Sequence, residues 1–414
     1  MFVGTSYMMV YKFEQDLVNL VENVVNDKLE NCAVIVHDGN KKGEGFLSDI
    51  SFISLNDKIS GEFFHLVIKK VQFGEKDSTK ELMSTSFLNE IHYYREIFPI
   101  LQTFQKTFSG VKIFDNFPKL LATCSDKGNE KIILQNLKYK NYEVPQKSAP
   151  FEIKTFEKIF KLYADFHALS FAFKHHNYEK FFELTEPLHH SNLLFSKNFL
   201  GGYIKSFFRK VTRFFENQDE EIVGKLQKYF DQSVHIYENC MIYEGSKSVI
   251  LHGDCWSNNL MFKYNSAREI EDIKLIDFQL GYTGSLVLDI SYAFYAGAGK
   301  ESLDNLEYLL KIYHNQLSRT LKLYGCDAEK IYPHETFKQE WKKYCVYGFI
   351  LGVIVWPTKF ATDFSNMLGF KDVMDREQYD EHDEIDDYGL KYDQDKYKET
   401  ILNLIKHMYE NDFL

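Results

Sequence analysis

The segment from Val249 to Leu280 limits the possible folds of this chain more than any other. Three short runs, Val249-Ile250-Leu251, Leu260-Met261-Phe262 and Lys274-Leu275-Ile276, are separated by a polar loop and by turn residues at Tyr264-Asn265-Ser266 and Glu271-Asp272. Runs of this kind bounded by turn residues read as strands. The order is strand, loop, strand, turn, strand, and the last strand delivers Asp277. A hairpin brings its two ends together, so Asp254 and Asn259 of the loop are expected to meet Asp277 at one point.

Two acids and an amide at one point are what phosphoryl transfer needs. One carboxylate orients an acceptor hydroxyl and takes its proton, while an amide and a second carboxylate hold the Mg2+ ions that bridge nucleotide phosphates. Asp254 is thus the candidate base, and Asn259 and Asp277 are the candidate metal ligands. Taken singly the pieces have plainer meanings, since an acid after a strand is often only a helix cap. The order of strands around them is what favours the chemical reading.

The first third of the chain supplies what such a site lacks. Apolar residues at Leu17, Leu20, Val21, Val24 and Val25 make Phe13 to Leu29 a helix. Ala33 to Val36, Ser51 to Leu55 and Phe63 to Val71 read as strands, and Gly43-Glu44-Gly45-Phe46 forms a small-residue turn whose amides can approach phosphates. Lys69 follows Val67-Ile68 and is the candidate phosphate-gripping lysine; strand alternation sends Lys70, the fallback, to the opposite face. Thr85 to Tyr94 reads as a helix carrying Glu90, the natural ion-pair partner of that lysine. Lys131 to Leu134 reads as a strand, and Gln135-Asn136-Leu137 after it as the hinge whose backbone would hydrogen-bond adenine.

Aromatic residues make up 16% of the chain, enough to line a pocket with rings as well as to fill helix interfaces. The net charge of −11 disfavours a nucleic-acid or anionic-membrane surface role. Much of the acidity sits in 372–395, read as a solvated loop. Six scattered cysteines without a Cys-x-x-Cys pair point to reduced thiols and a cytoplasmic location. Met1 to Val10 lacks the basic region of a leader, and the run Tyr344 to Trp356 is shorter than the about 20 residues a membrane span needs.

The remaining periodicity is helical: Phe156 to Ala172, Phe199 to Phe215, Ile222 to Tyr243, Leu303 to Leu323 and Phe337 to Trp356. His167 lies on the apolar stripe of the first and reads as a packed core residue. His175-His176 and His189-His190 lack a completing ligand and are poor metal candidates. The expected architecture is α+β and two-lobed, with a β-rich nucleotide lobe at 1–137 and a mainly helical lobe at 138–414 carrying the catalytic loop and acceptor pocket.

Several of these segments together resemble the ecdysteroid kinase-like family, a branch of the choline- and aminoglycoside-kinase superfamily. They are Gly43 to Phe46, Val67-Ile68-Lys69, Phe87 to Tyr94, Phe98-Pro99, Ala164 to Ser170, His252 to Phe262, Asp277-Phe278-Gln279-Leu280 and Leu288-Asp289-Ile290-Ser291-Tyr292. Trp256 and Asp-Phe-Gln are features of this branch rather than of protein kinases, whereas Cys255 stands where leucine is usual. The resemblance implies a protein-kinase-like fold, ATP and Mg2+ as cofactors, a bracing role for Asp289, and a lipophilic acceptor such as an ecdysteroid or a xenobiotic. A choline-, ethanolamine- or aminoglycoside-type kinase and a ligand-binding pseudokinase stay open as alternatives. No obligate protein partner is evident.

Overall fold

The computed structural model describes residues 14–37, 48–71, 77–146, 148–189, 191–196, 200–214, 220–363 and 391–414. The expected glycine turn at 43–46 and the centre of the acidic segment lie outside the described residues. Helix α1 (Gln15–Val25) precedes strands β1 (Cys32–His37), β2 (Ser48–Asp57) and β3 (Phe63–Val71), then α2 (Asp77–His92), α3 (Phe98–Gln105), β4 (Leu120–Cys124) and β5 (Lys131–Gln135). These strands form one antiparallel sheet in the order β1-β2-β3-β5-β4.

Period-two alternation gives the sheet two different faces. Ile53, Leu55, Leu66, Ile68 and Ile133 pack under Leu17, Val21 and Val25 of α1 in a separate small core. The intervening residues Phe52, Val67, Lys69 and Leu134 line a cleft on the other face. Lys70 goes with the helix side, where its ammonium meets Glu14 at 3.3 Å.

Helix α2 is longer than its sequence pattern implied, and it passes into a π-turn, Tyr93–Ile97, before α3. Pro99 explains the widening, because it has no N–H to give the Arg95 carbonyl. After the 3-10 turn Leu137–Lys140 and β6 (Tyr142–Glu143), the chain is mainly helical. Its elements are α4 (Ile153–His176), α5 (Tyr178–Thr185), α6 (Ser191–Phe195), α7 (Gly201–Arg213), α8 (Glu220–Asp231) and α9 (Ser233–Met241). Sequence periodicity joined the last two into one helix. The backbone instead leaves helical geometry at Gln232, where the Ser233 hydroxyl takes the Phe230 carbonyl.

Strand β7 (Val249–Ile250) pairs with β10 (Thr283–Gly284), and β8 (Leu260–Tyr264) with β9 (Ile270–Leu275), closing the expected hairpin with Leu260 opposite Leu275. Then come α10 (Leu286–Tyr295), α11 (Lys300–Asp304), α12 (Leu306–Leu323), α13 (Ala328–Ile331) and α14 (His334–Lys359). Strands β11 (Ala361–Asp363) and β12 (Lys391–Tyr392) and helix α15 (Gln394–Glu410) end the described chain. The architecture is a protein-kinase-like α+β fold of two lobes. No described helix is long and apolar enough to cross a membrane.

Helix α14 reaches α10 by backbone contact. A Cβ on Gly348 would collide with the Ser291 carbonyl and the Tyr292 amide, and one on Gly352 would lie 2.9 Å from the Tyr295 carbonyl oxygen. Neither neighbour can yield as a flexible side chain would. Gly→Ala inside a helix ordinarily stabilises by about 0.5–1 kcal/mol. Gly348→Ala is expected to do the reverse, lowering stability by about 1–3 kcal/mol through overpacking. Gly224→Ala in α8, where a Cβ meets nothing within 4 Å, should show the ordinary gain. Urea denaturation of the two variants measures the sign directly.

Candidate active site

Three separate elements meet at one lysine. Lys69 on β3 is buried beneath the cleft, and its ammonium lies 2.5 Å from a Glu90 oxygen on α2 and 3.1 Å from an Asp277 oxygen after β9. Burial pulls this lysine down, but the Asp277 and Glu90 carboxylates more than reverse that, and it stays protonated above its ordinary value. Burial likewise pushes the Glu90 carboxyl up, with Lys69 working against the rise.

The hairpin holds Asp277 in place. The Asn259 carbonyl accepts from the Ile276 amide at 3.1 Å, so the two ends of β8 and β9 stay together. Asp277 itself has φ of 70°, a left-handed conformation rare for a residue with a side chain. Its neighbour Phe278 is fully buried and packs on Tyr93, Phe98 and His252 with ring centroids 5.1, 4.9 and 4.6 Å away. That packing sustains the strained backbone.

Asp254 sits on the cleft floor, where the Asn259 amide donates to its carboxylate at 2.7 Å and to its backbone carbonyl at 2.9 Å. Burial, with the Asp277 carboxylate nearby, pushes this carboxyl up to about 7, although Tyr292, Asn259 and Trp256 donate to it. The loop around it is fixed from below by Asp289, the residue that the family resemblance made a brace. One Asp289 oxygen accepts the His252 amide at 2.7 Å and the other accepts the Gly253 amide at 3.0 Å. His167 lies 3.2 Å from the same carboxylate and 2.7 Å from the Tyr313 hydroxyl. It is core-packed as its position on the stripe implied, but it also belongs to the brace. Gly253 has φ of 84°, and a Cβ there would overlap the Leu280 carbonyl. No other residue type fits.

His252 carries its proton on a definite nitrogen. Its Nε2 lies 3.0 Å from the Ile276 carbonyl and so donates, while Nδ1 accepts from the Asp254 amide at 3.2 Å. Burial lowers its pKa, in keeping with a neutral ring.

Lys69, Glu90, Asp254, Asn259 and Asp277 all line one cavity of about 610 Å3, and Gln135, Asn136 and Leu137 form its far wall. The Gln135 and Asn136 amides are already engaged, donating to the Lys119 and His65 carbonyls at 2.9 and 2.8 Å. Leu137 opens a 3-10 turn and keeps its amide outside that turn's own bonding.

The model of the ecdysteroid kinase-like family matches residues 42–326. The chain belongs to this family. It is accordingly a phosphotransferase, a small-molecule kinase. Among solved structures the chain is similar to the GDP and kanamycin complex of APH(2")-IIia, at 14% identity and a TM-score of 0.39, covering 82% of this chain and 97% of that one. No curated protein matches.

Residues inside the matching segments that were given no role of their own also hold the candidate site together. Asn89, beside Glu90, donates to the Gln279 and Gly281 carbonyls at 3.3 and 3.2 Å, tying α2 to the turn that follows Asp277. The Tyr93 hydroxyl donates to the Leu251 carbonyl at 2.6 Å, tying the π-turn to the catalytic loop. Tyr292 on α10 reaches Asp254 from the opposite side. Only their position next to motif residues could have signalled them.

The raised carboxyl has a consequence for stability. An Asp that shifts from 3.8 unfolded to about 7 folded favours the fold at low pH, and this contribution is lost as pH climbs through that window. Without nucleotide, Asp254→Asn is expected to melt above the wild type at pH 8, by the equivalent of about 2–4 kcal/mol. The gap should close as pH falls toward 4. Thermal melts across pH 4 to 8 check this, and a gap independent of pH would show that the Asp254 carboxylate is not desolvated.

Proposed function

We propose that this chain transfers the γ-phosphoryl group of ATP to a hydroxyl of a lipophilic small molecule, such as an ecdysteroid or a xenobiotic. The observation that carries this reading is the meeting of Lys69, Glu90 and Asp277 in the same cavity as Asp254 and Asn259. In the proposed division of labour, residues 1–137 bind the nucleotide. Residues 138–414 carry the catalytic loop and the acceptor pocket.

The adenine ring is proposed to lie against Gln135, Asn136 and Leu137, with the Leu137 amide as a donor. Lys69, oriented by Glu90, draws charge from the phosphates, and the turn Gly43-Glu44-Gly45-Phe46 covers them. The donor set suits Mg2+, a hard cation that takes oxygen ligands. Asp277 offers a carboxylate, and the Asn259 nitrogen is spent on Asp254, which leaves the Asn259 side-chain oxygen for the ion. Bound there, Mg2+ would neutralise charge on the transferring phosphate. Asp254 orients the acceptor hydroxyl and takes its proton. Its carboxyl at about 7 makes it a better proton acceptor than an ordinary aspartate at neutral pH.

The lipophilic acceptor is supported by the walls of the cavity. Trp256, Met261, Ile276 and Leu280 line it, and among the described residues the one remaining acid beyond Glu90, Asp254 and Asp277 is Glu143. Glu143 is engaged by Arg268 at 3.0 Å. Among the described residues a choline-type cation would therefore find no dedicated carboxylate. A pseudokinase reading gains no support either, since lysine, base and metal acid share one cleft.

Asp254→Asn is expected to lower kcat by roughly 10²–10⁴-fold while MgATP affinity stays unchanged. Near-normal turnover would remove Asp254 from the mechanism. Asp277→Ala should instead weaken nucleotide binding in Mg2+ and have little effect in EDTA, as read by calorimetry. For the acceptor, ATP consumption across hydroxysteroids, glycosylated toxins, choline and aminoglycosides decides. Turnover confined to choline or an aminoglycoside would overturn the lipophilic reading.

A further inference from the structure

A second cavity, of about 530 Å3, lies behind the hinge. Tyr94, Phe98 and Phe117 give it an aromatic wall, in which Phe98 and Phe117 stack at 3.7 Å with planes 8° apart. Four lysines, Lys119, Lys140, Lys263 and Lys274, surround it against a single acid among the described residues, Asp115. This balance is unexpected in a chain of net charge −11. Lys263 meets Glu271 at 3.1 Å, and Lys274 meets Asp115 and Asp272 at 3.3 Å each. Lys119 and Lys140 are exposed and make no ion pair among the described residues. Two uncommitted ammonium groups beside a ring-lined wall match a ligand with a flat apolar body and an anionic head.

The cavity shares a partition with the nucleotide cleft, because Gln135, Leu137 and Tyr142 line both. The Tyr142 hydroxyl donates to Asp272 at 2.5 Å, and Asp272 also holds Lys274. An anion that draws Lys274 away from Asp272 would therefore alter the anchor of Tyr142. We infer that this cavity binds a ring-bearing organic anion, a phosphate or sulfate monoester, and that its occupancy changes nucleotide affinity across the shared partition. The coupling half rests on the nucleotide reading of the cleft, whereas the binding half does not. A phosphate monoester of a lipophilic alcohol is also the product class of the proposed reaction, so the cavity would sense product.

Fluorescence titration with 2-naphthyl phosphate tests this on the full chain, with and without saturating MgADP. One equivalent is expected to bind in both conditions. In Lys119→Glu/Lys140→Glu its affinity should fall about tenfold or more, while MgADP alone binds as to wild type. Inorganic phosphate and 2-naphthol should each bind at least about tenfold more weakly than the ester. Displacement of the probe by MgADP would place it in the cleft and overturn the proposal, as would unchanged affinity in the double variant. If the probe binds and MgADP affinity does not move, the coupling is wrong. If MgADP itself fails to bind, the nucleotide reading falls, and the double variant still decides the cavity.

Discussion

The buried ammonium of Lys69 is the constraint on which the rest of the structure depends. A charge withdrawn from water is held there by two carboxylates, one from α2 and one from the end of the hairpin. Such a cluster adds little net stability, because desolvation of the three ions consumes most of the attraction between them. Removal of Lys69 would leave Glu90 buried and unmatched, at about 3–5 kcal/mol, whereas Asp277 is partly exposed. The sheet, α2 and the hairpin must therefore arrive in register together. The stability that holds them there comes from apolar packing, above all from Phe278 between Tyr93, Phe98 and His252. Asn89 and Tyr93 secure the same junction with hydrogen bonds to backbone carbonyls.

A second buried charge organises the catalytic loop. Burial works against ionisation of Asp289, but the His167 hydrogen bond and the further contributions of His167 and His252 outweigh it, so its carboxyl lies below the ordinary range. An ionised Asp289 can accept two successive amides, and that geometry needs the left-handed turn that Gly253 supplies. Asp254 then follows at a fixed angle. The two aspartates differ in environment, one rich in donors and one beside another carboxylate, and their proton affinities are pushed in opposite directions.

Much of this was legible in the chain because it is local. Alternation along Phe63 to Val71 separates Lys69 from Lys70, and the hairpin places Asn259 beside Asp277, both within a few residues. Most of what was not legible depends on contacts across 100 residues or more. Nothing near Asn89 in the sequence announces that its amide meets Gln279 and Gly281. His167 reads as core by its periodicity, and its link to Asp289 exists only once α4 and α10 are packed. The break at Gln232 was hidden because α8 and α9 carry the same apolar period on both sides of it.

The packing behind Asp254 follows a different logic from the Lys69 cluster. Tyr237 of α9 and Tyr347 of α14 stack with centroids 5.0 Å apart, Tyr292 of α10 meets Tyr347 edge-on, and the Tyr292 hydroxyl reaches Asp254. These rings are buried core residues on helices, and their requirements are volume and shape. Apolar packing tolerates substitutions that conserve volume, whereas the Lys69 cluster tolerates no loss of a single charge without exposing the others. The packing of these helices can therefore vary while the Lys69 cluster keeps its geometry. The link between the two halves is Gly348, which lets α14 touch the backbone of α10 at Ser291 and Tyr292. A shift of α14 there moves Tyr347 and Tyr292 together, so the hydrogen-bond partner of Asp254 is positioned by that helix contact.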